Sequence, residues 1–380
     1  MKKLIFLITF IIFLLFSIQK SYAIYDPRSV DNNKFGIHIL FPEEISEAAA
    51  LINSSGGDWG YVTIPIRASD RDLDKWQTFM NNAKKYHVIP IIRLATDGDY
   101  FDKISWAKPS NYDILDFSNF LNSLSWPTKN RYIIVYNEVN RGDEWGGIPN
   151  AAEYAEILNY AIDEFKNKNQ DFFIISAGFD NASINVTDRY INQYDYMYQM
   201  EDAVPGIFAK IDGIGSHSYP NPAFSSPPSS TKNGVFSFFY QKNIADNLSG
   251  KDIPVFITET GWTSDTISQD QQSIYYQDAF RSYWNDPSVI AVTPFIFIAD
   301  KGPFAQFSFI KSGQKTKIYN TYKSILKVRG QPLLSKDVFD FSGLQFVYKT
   351  KEFKNKNNFN SILNNINKSS KTFFKWLLGA

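Results

Sequence analysis

Two glutamates stand at the ends of apolar segments that lie far apart in the chain. Glu138 follows the apolar run 133–135 within RYIIVYNEVN, and Glu259 ends the segment IPVFITE. Burying a carboxylate at the end of an apolar strand costs free energy unless the group is paired or hydrogen-bonded. Two carboxylates in one cleft have the chemistry that cleavage of a glycosidic bond requires: one protonates the leaving oxygen, and the other attacks or stabilises the anomeric carbon. Their mutual repulsion helps to keep a proton on the acid.

Eight apolar segments, each followed by a helical pattern, make up most of the chain. The predicted strands are 35–40, 61–66, 87–95, 131–138, 172–179, 209–219, 253–259 and 289–299. The predicted helices lie near 43–52, 73–85 (with Asp70 as its N-cap), 112–124, 151–165, 235–248, 270–284 and 316–328, and an aromatic-rich segment lies near 190–200. Most of these strands are continuous apolar runs, which is typical of parallel sheets covered on both faces.

Eight strand-then-helix units predict an α/β fold of the (β/α)8 TIM-barrel type. An open, doubly wound sheet is the alternative, but no glycine-rich phosphate loop follows the first strand. In a barrel of this type the active site lies at the C-terminal ends of the strands. The ends of the fourth and seventh strands would then bring Glu138 and Glu259 into one mouth.

Asn137-Glu138 after the fourth strand and Glu259 in ITETGW after the seventh resemble the pattern of clan A glycoside hydrolases. Enzymes of this clan are (β/α)8 barrels that cleave mostly β-linked glycosidic bonds with retention of configuration. The resemblance implies that Glu138 is the acid/base, that Glu259 is the nucleophile, and that Asn137 binds the 2-hydroxyl of the sugar.

The sixth strand continues into Ser216-His217-Ser218-Tyr219-Pro220, where relatives in the clan often carry His and Tyr facing the nucleophile. The resemblance makes Tyr219 a hydrogen-bond donor to Glu259. It makes His217 a partner of the sugar or of the acid/base, the alternative being a histidine satisfied within the core.

The chain departs from the clan pattern at the second and eighth strands. The second strand has Thr63 where many clan members have Arg, so Arg93 or Arg67 is the candidate for that role, an ordinary ion pair being the alternative. The eighth strand has only Phe295 and Phe297 where a Trp often floors the sugar site. Candidate stacking rings are instead Trp262, directly after the seventh strand, and Trp145, in the loop after Glu138; core packing is the alternative for both.

Composition excludes several classes of function. The chain has no cysteine, which excludes disulfides, thiolate metal ligands and a cysteine nucleophile. Its 39 basic residues balance 39 acidic residues, so no basic field favours nucleic-acid binding. The three histidines, at 38, 87 and 217, form no metal-binding motif in the sequence. We therefore expect neither a metal nor a cofactor.

Both ends of the chain differ from the predicted barrel, which spans 32–329. Residues 1–23 combine MKK, a short apolar run and Ser21-Tyr22-Ala23, which predicts a cleavable signal peptide and a secreted or cell-envelope protein, with an uncleaved anchor as the alternative. Residues 330–380 form a C-terminal extension rich in Lys and Asn that contains FFKWLL. This extension is either a solvated tail, a helix packed on the barrel, or a basic amphipathic segment that touches a membrane or wall polymer.

The combined expectation is a secreted, retaining β-glycosidase acting on an oligo- or polysaccharide. Two alternatives share the same residues. One is a carbohydrate-binding barrel without catalysis, and the other is a transglycosylase that remodels cell-wall or capsular polysaccharide.

Overall fold

The computed structural model of the chain describes residues 24–97 and 105–335. The predicted signal peptide, 1–23, lies outside the described residues, and so does nearly all of the predicted C-terminal extension. Among the described helices, none combines the length and the apolar character needed to cross a bilayer.

The described residues form a (β/α)8 barrel, as predicted. Its strands are β1 (Gly36–His38), β2 (Gly60–Arg67), β3 (Val88–Ala95), β4 (Arg131–Ile134), β5 (Phe172–Ile175), β6 (Ile214–His217), β7 (Val255–Glu259) and β8 (Val289–Val292). Strands β1 to β5 pair in parallel in chain order, and β6 to β8 do the same. Parallel bridges between Ile175 and Gly213 and between Phe35 and Val292 join the two sets and close the barrel. A short hairpin, β9 (Ile310–Lys311) and β10 (Gln314–Lys315), follows β8.

Helices surround the strands. They are α1 (Ile45–Ile52), α2 (Leu73–Lys85), α3 (Asn111–Ser123), α4 (Ala151–Lys168), α5 (Gln193–Ala203), α6 (Ile207–Lys210), α7 (Ser237–Ser249), α8 (Gln269–Ser282) and α9 (Lys317–Ser324), with 3-10 turns at Pro27–Ser29, Pro42–Glu44 and Ala305–Phe307. The predicted cap of α2 is wrong by two residues: the side chain of Asp72 accepts the Lys75 backbone N–H, whereas Asp70 accepts from the Lys75 ammonium.

Apolar packing lies on both sides of the sheet, which explains the continuous apolar strands. One set of side chains fills the barrel interior and includes Tyr61, Tyr132, Phe173 and Phe256. A larger set packs the outer face of the sheet against the helices. This double-sided core holds the strands rigidly, so that the side chains at their C-terminal ends have fixed positions.

The segment after α9 returns along the barrel. The backbone N–H of Gly330 donates to Asp58, that of Gln331 to Asp31, and that of Lys129 to the carbonyl of Leu333. Residues 330–335 therefore lie against the barrel in the described part of the chain.

Candidate active site

Glu138 lies in a loop rather than at the end of a strand. β4 ends at Ile134, four residues before the predicted end, and the chain then turns sharply. Tyr136 and Glu138 both have positive φ, 70° and 36°, a region that side chains other than glycine rarely adopt and that costs free energy. The Glu138 N–H donates to Gly178 O at 3.0 Å, which holds this strained backbone in place. Glu259 is the last residue of β7, as predicted.

The two glutamates face each other at the mouth of the barrel. Carboxylate oxygens of Glu138 and Glu259 and a ring nitrogen of His217 all lie within 4.8 Å of one another. The two carboxyl side chains are only 13% and 9% exposed. His217 Nδ1 lies 2.9 Å from Glu138 Oε1 and 3.8 Å from Glu259 Oε2.

The same three groups are close enough together to contact one cation. Each of them is already engaged by protein partners, because His217 bonds Glu138 and Arg93 and Tyr219 bond Glu259.

Glu259 is surrounded by donors. Arg93 Nη1 donates to Oε1, and the Tyr219 hydroxyl donates to Oε2 at 3.0 Å. His38 Nδ1 lies 3.4 Å from Oε1 but makes no hydrogen bond to it. Burial raises the pKa of Glu259, but the positive charges of His217 and Arg93 outweigh it and hold the pKa well below its usual range. The carboxylate is therefore ionised at neutral pH, as a nucleophile must be.

His217 is buried between the two carboxylates, with 1% of its side chain exposed. Burial lowers its pKa, but Glu259 and Glu138 outweigh burial, and the pKa is raised overall. Its ring fits because residue 178 is glycine: a Cβ at that position would lie 2.1 Å from His217 Cδ2. His217 is thus a buried, hydrogen-bonded histidine that contacts the carboxylate of Glu138.

Of the two candidate arginines, Arg93 lies in the site and Arg67 does not. Arg93, on β3, donates from Nη1 both to Glu259 and to Asn137 Oδ1, the latter at 2.7 Å. Its guanidinium thus links the residue expected to bind the sugar with the residue expected to attack it. Arg67 ends β2 in an exposed position, with its guanidinium 5.9 Å from the centre of the Trp106 ring.

The interpretation of Trp262 and Trp145 as sugar-stacking rings is wrong. Trp262 is 0% exposed, and Trp145 is 1% exposed. Trp262 donates from Nε1 to Ser226 O at 2.8 Å and packs against Trp284. Trp145 packs edge-on against Tyr136 and Tyr154. Neither ring has a free face for a sugar, so both belong to the core.

The two phenylalanines of the eighth-strand region lie in different places. Phe297 is fully buried in the core. Phe295 lies at the mouth, with its ring 5.1 Å from that of His38 and 5.0 Å from that of Phe304. Phe295 and the half-buried Phe304 therefore form an apolar wall beside His38.

Three residues at the mouth were missed by the reading of the sequence. His38 ends β1, where the rule about strand ends applies as it does to Glu259; burial and the charge of Arg93 lower its pKa to about 3, so the imidazole is neutral. Arg141 and Glu144 come from the loop after β4. Burial and the charge of Glu138 raise the pKa of Glu144 to about 8, although the side chain of Asn137 acts to lower it.

Solved structures of glycoside hydrolases resemble this chain. A family 39 β-xylosidase from Caulobacter crescentus is 13% identical, with a TM-score of 0.55 over 81% of this chain and 75% of the other. A family 39 glycoside hydrolase from Bacteroides cellulosilyticus is 18% identical, with a TM-score of 0.54 over 80% of this chain; the match spans 65% of the length of that protein. A family 5, subfamily 18 glycoside hydrolase from Bifidobacterium longum subsp. infantis is 11% identical, with a TM-score of 0.52 over 77% and 78%.

No protein-family model matches the sequence, and no curated protein matches it either. At these low identities the structural likenesses establish the fold. The chain therefore has the (β/α)8 fold of the glycoside hydrolases that it was expected to resemble.

Proposed function

We propose that the protein is a retaining β-glycosidase with Glu138 as acid/base and Glu259 as nucleophile. The observation that carries this proposal is the pair of carboxylates at the barrel mouth, whose oxygens lie within 4.8 Å of each other. Retaining glycosidases place their carboxyl groups about 5–5.5 Å apart, whereas inverting enzymes need about 6.5–9.5 Å to leave room for a water molecule. The short separation favours retention.

The first chemical step uses both carboxyl groups. Glu259 attacks the anomeric carbon while the glycosidic C–O bond breaks, and Glu138 gives its proton to the departing oxygen, so that a glycosyl ester forms on Glu259. Asn137, whose amide oxygen is fixed by Arg93, presents its N–H groups to the sugar. Arg93, Tyr219 and His217 keep Glu259 ionised until the attack.

The second step reverses these roles. Glu138, now a carboxylate, takes a proton from water, and the resulting hydroxyl attacks the anomeric carbon and releases Glu259. A sugar hydroxyl in place of water would give transglycosylation with the same residues. The choice between the two depends on the acceptor rather than on the catalytic pair.

A carbohydrate-binding barrel without catalysis is the second candidate. A binder gains nothing from two buried carboxylates held close together, because their repulsion and desolvation cost free energy. The strained backbone at Glu138 is a further cost that favours catalysis over binding alone.

Chemical rescue tests the proposal. Glu138→Ala is expected to cleave 2,4-dinitrophenyl β-glycosides and to accumulate a stable glycosyl-enzyme. External azide should then release the sugar as the β-glycosyl azide. Glu259→Ala is expected to show no such β-azide product. Wild-type activity in either variant, or an α-configured azide from Glu138→Ala, would contradict the assignment.

We also propose that the chain is exported, on the basis of the basic, apolar and small-residue order of residues 1–23. N-terminal sequencing of protein recovered from the producing cells is expected to begin at Ile24. An intact Met1 would contradict export with cleavage.

A further inference from the structure

The acid/base candidate has a different neighbour on each of its two oxygens. Glu138 Oε1 faces His217 Nδ1 at 2.9 Å, and Oε2 faces Arg141 Nη1 at 3.4 Å. Arg141 lies three residues further along the same loop, and its N–H donates to the Glu138 carbonyl at 2.9 Å. Both side chains are largely buried, with 26% of Arg141 and 13% of Glu138 exposed.

The two neighbours differ in what they can do with a proton. A guanidinium has five N–H donors and no acceptor, and it stays charged in proteins. A proton on Oε2 of Glu138 would point at a donor. An imidazole nitrogen can either donate or accept. A proton between Oε1 and His217 Nδ1 therefore has a hydrogen-bond partner whether it is bound to the oxygen or to the nitrogen.

We propose that Arg141 is a positioning residue for the acid/base: it occupies Oε2 of Glu138 and so restricts the catalytic proton to Oε1. This inference rests on the proposed function, because it assigns the oxygen from which Glu138 protonates the leaving group. The proton moves from Oε1 to the glycosidic oxygen as the C–O bond breaks, and Oε2 keeps its contact with Arg141 throughout.

Two aspartates hold the guanidinium in this position. Asp143 binds it with two contacts, Nε to Oδ1 at 3.0 Å and Nη2 to Oδ2 at 2.6 Å, a fork geometry that fixes orientation as well as charge. Asp180 Oδ2 lies 3.6 Å from Nη1, and Asp180 is itself held by the Ala182 N–H and the Ser183 hydroxyl. With Nε and Nη2 bound to Asp143, the guanidinium meets the Glu138 carboxylate through Nη1 alone.

A positioning role predicts a dependence on the leaving group that a purely structural role does not. An aglycone such as phenol leaves slowly unless it is protonated, whereas 2,4-dinitrophenolate leaves without a proton. The value of kcat/KM reports the first chemical step for both substrates. Disturbing the acid therefore slows the phenyl glycoside selectively.

The experiment uses Arg141→Met in the full chain with phenyl and 2,4-dinitrophenyl β-glycosides of glucose, xylose and mannose. For the sugar that is hydrolysed, kcat/KM is expected to fall about 10- to 100-fold on the phenyl glycoside and less than about 3-fold on the dinitrophenyl glycoside. Arg141→Lys keeps a charge but loses the fork, and it should recover part of the loss. Arg281→Met makes the same change at an arginine whose side chain is 77% exposed and should leave both values unchanged.

Equal losses on the two substrates, or no loss on either, would overturn the inference. If Arg141→Met does not fold, Asp143→Asn decides, since it weakens the fork from outside the site and is expected to slow the phenyl substrate selectively, though less. If the unmodified protein hydrolyses none of the six glycosides while a β-linked polysaccharide is cleaved, the same comparison is made on that polymer against its 2,4-dinitrophenyl oligosaccharide. Inactivity of the unmodified protein on every β-linked substrate overturns the proposed function and this inference with it.

Discussion

Replacing Arg93 by methionine tests how Glu259 is kept ionised. Arg93 Nη1 donates to Glu259 Oε1, and the two side chains are only 13% and 9% exposed, so solvent screens their attraction weakly. Methionine keeps the apolar stem and removes the charge. The pKa of Glu259 should then rise. Burial still raises this pKa in the variant, and one of the positive charges that lower it has been removed.

The expected magnitude follows from the ion pair. A carboxylate beside a guanidinium typically has its pKa lowered by about 1–3, so the acid limb of kcat/KM should move up by about 1–3 pH units in Arg93→Met. Removing one partner of a buried pair also lowers the free energy of unfolding by about 3–5 kcal/mol. The charged form of Glu259 stabilises the wild-type fold above the usual pKa of 4.5, and this stabilisation is lost as the pH falls towards about 2. In the variant this pH-dependent stabilisation is smaller, because the folded-state pKa of Glu259 lies closer to its usual value.

The assay is the pH profile of kcat/KM, together with denaturant unfolding at several pH values. Arg67→Met is the matched control. It replaces an arginine by methionine at the exposed end of β2 and should leave the acid limb of the pH profile in place. An active Arg93→Met variant with an unmoved acid limb would refute the reasoning. So would an equal movement in Arg67→Met.

Three further substitutions give separate tests. Gly178→Ala places a Cβ 2.1 Å from the His217 ring and should lower kcat/KM about 100-fold, as a misplacement of about 1 Å can; wild-type activity would contradict the packing. Trp262→Phe should lower the free energy of unfolding by about 1–3 kcal/mol in urea, as a core truncation does, and leave KM unchanged; a raised KM with wild-type stability would restore the stacking interpretation. Glu144 has a pKa of about 8 and is neutral below that value, so Glu144→Gln should keep wild-type kcat at pH 6; a large loss at pH 6 would show that its charge is used.

The barrel could be predicted because strands buried on both faces leave continuous apolar runs. The ends of the strands were harder to predict. RYIIVY reads as one strand, yet β4 stops at Ile134 because Tyr136 and Glu138 adopt positive φ. Such a turn depends on distant partners, here Gly178 O, and local sequence does not record it.

The candidate site was predictable where strand ends position it. That rule placed Glu259 at the mouth, whereas His217 and Arg93 were singled out through the resemblance to clan A enzymes. The rule applies equally to His38, which was overlooked. Trp262 comes three residues after Glu259, but Gly261, with φ of 149°, turns the chain, and the ring enters the core.

The loop after β4 was beyond sequence reasoning. The positions of Arg141 and Glu144 depend on contacts between loops, such as the Gly142 N–H with the Arg189 carbonyl at 2.7 Å. A sequence pattern shows such residues only as charges in a polar segment.

The most direct test of the central claim is mass spectrometry of the protein after incubation with 2-deoxy-2-fluoro β-glycosyl fluorides of glucose, xylose and mannose. Fluorine at C2 slows both chemical steps, and the good leaving group lets the first one proceed, so that the glycosyl-enzyme accumulates. The mass should rise by one fluoro-sugar, and peptide mapping should place it on Glu259 within VFITE. A sugar attached to any other residue, or no adduct with a protein that hydrolyses the matching β-glycoside, would contradict the assignment of Glu259 as the nucleophile.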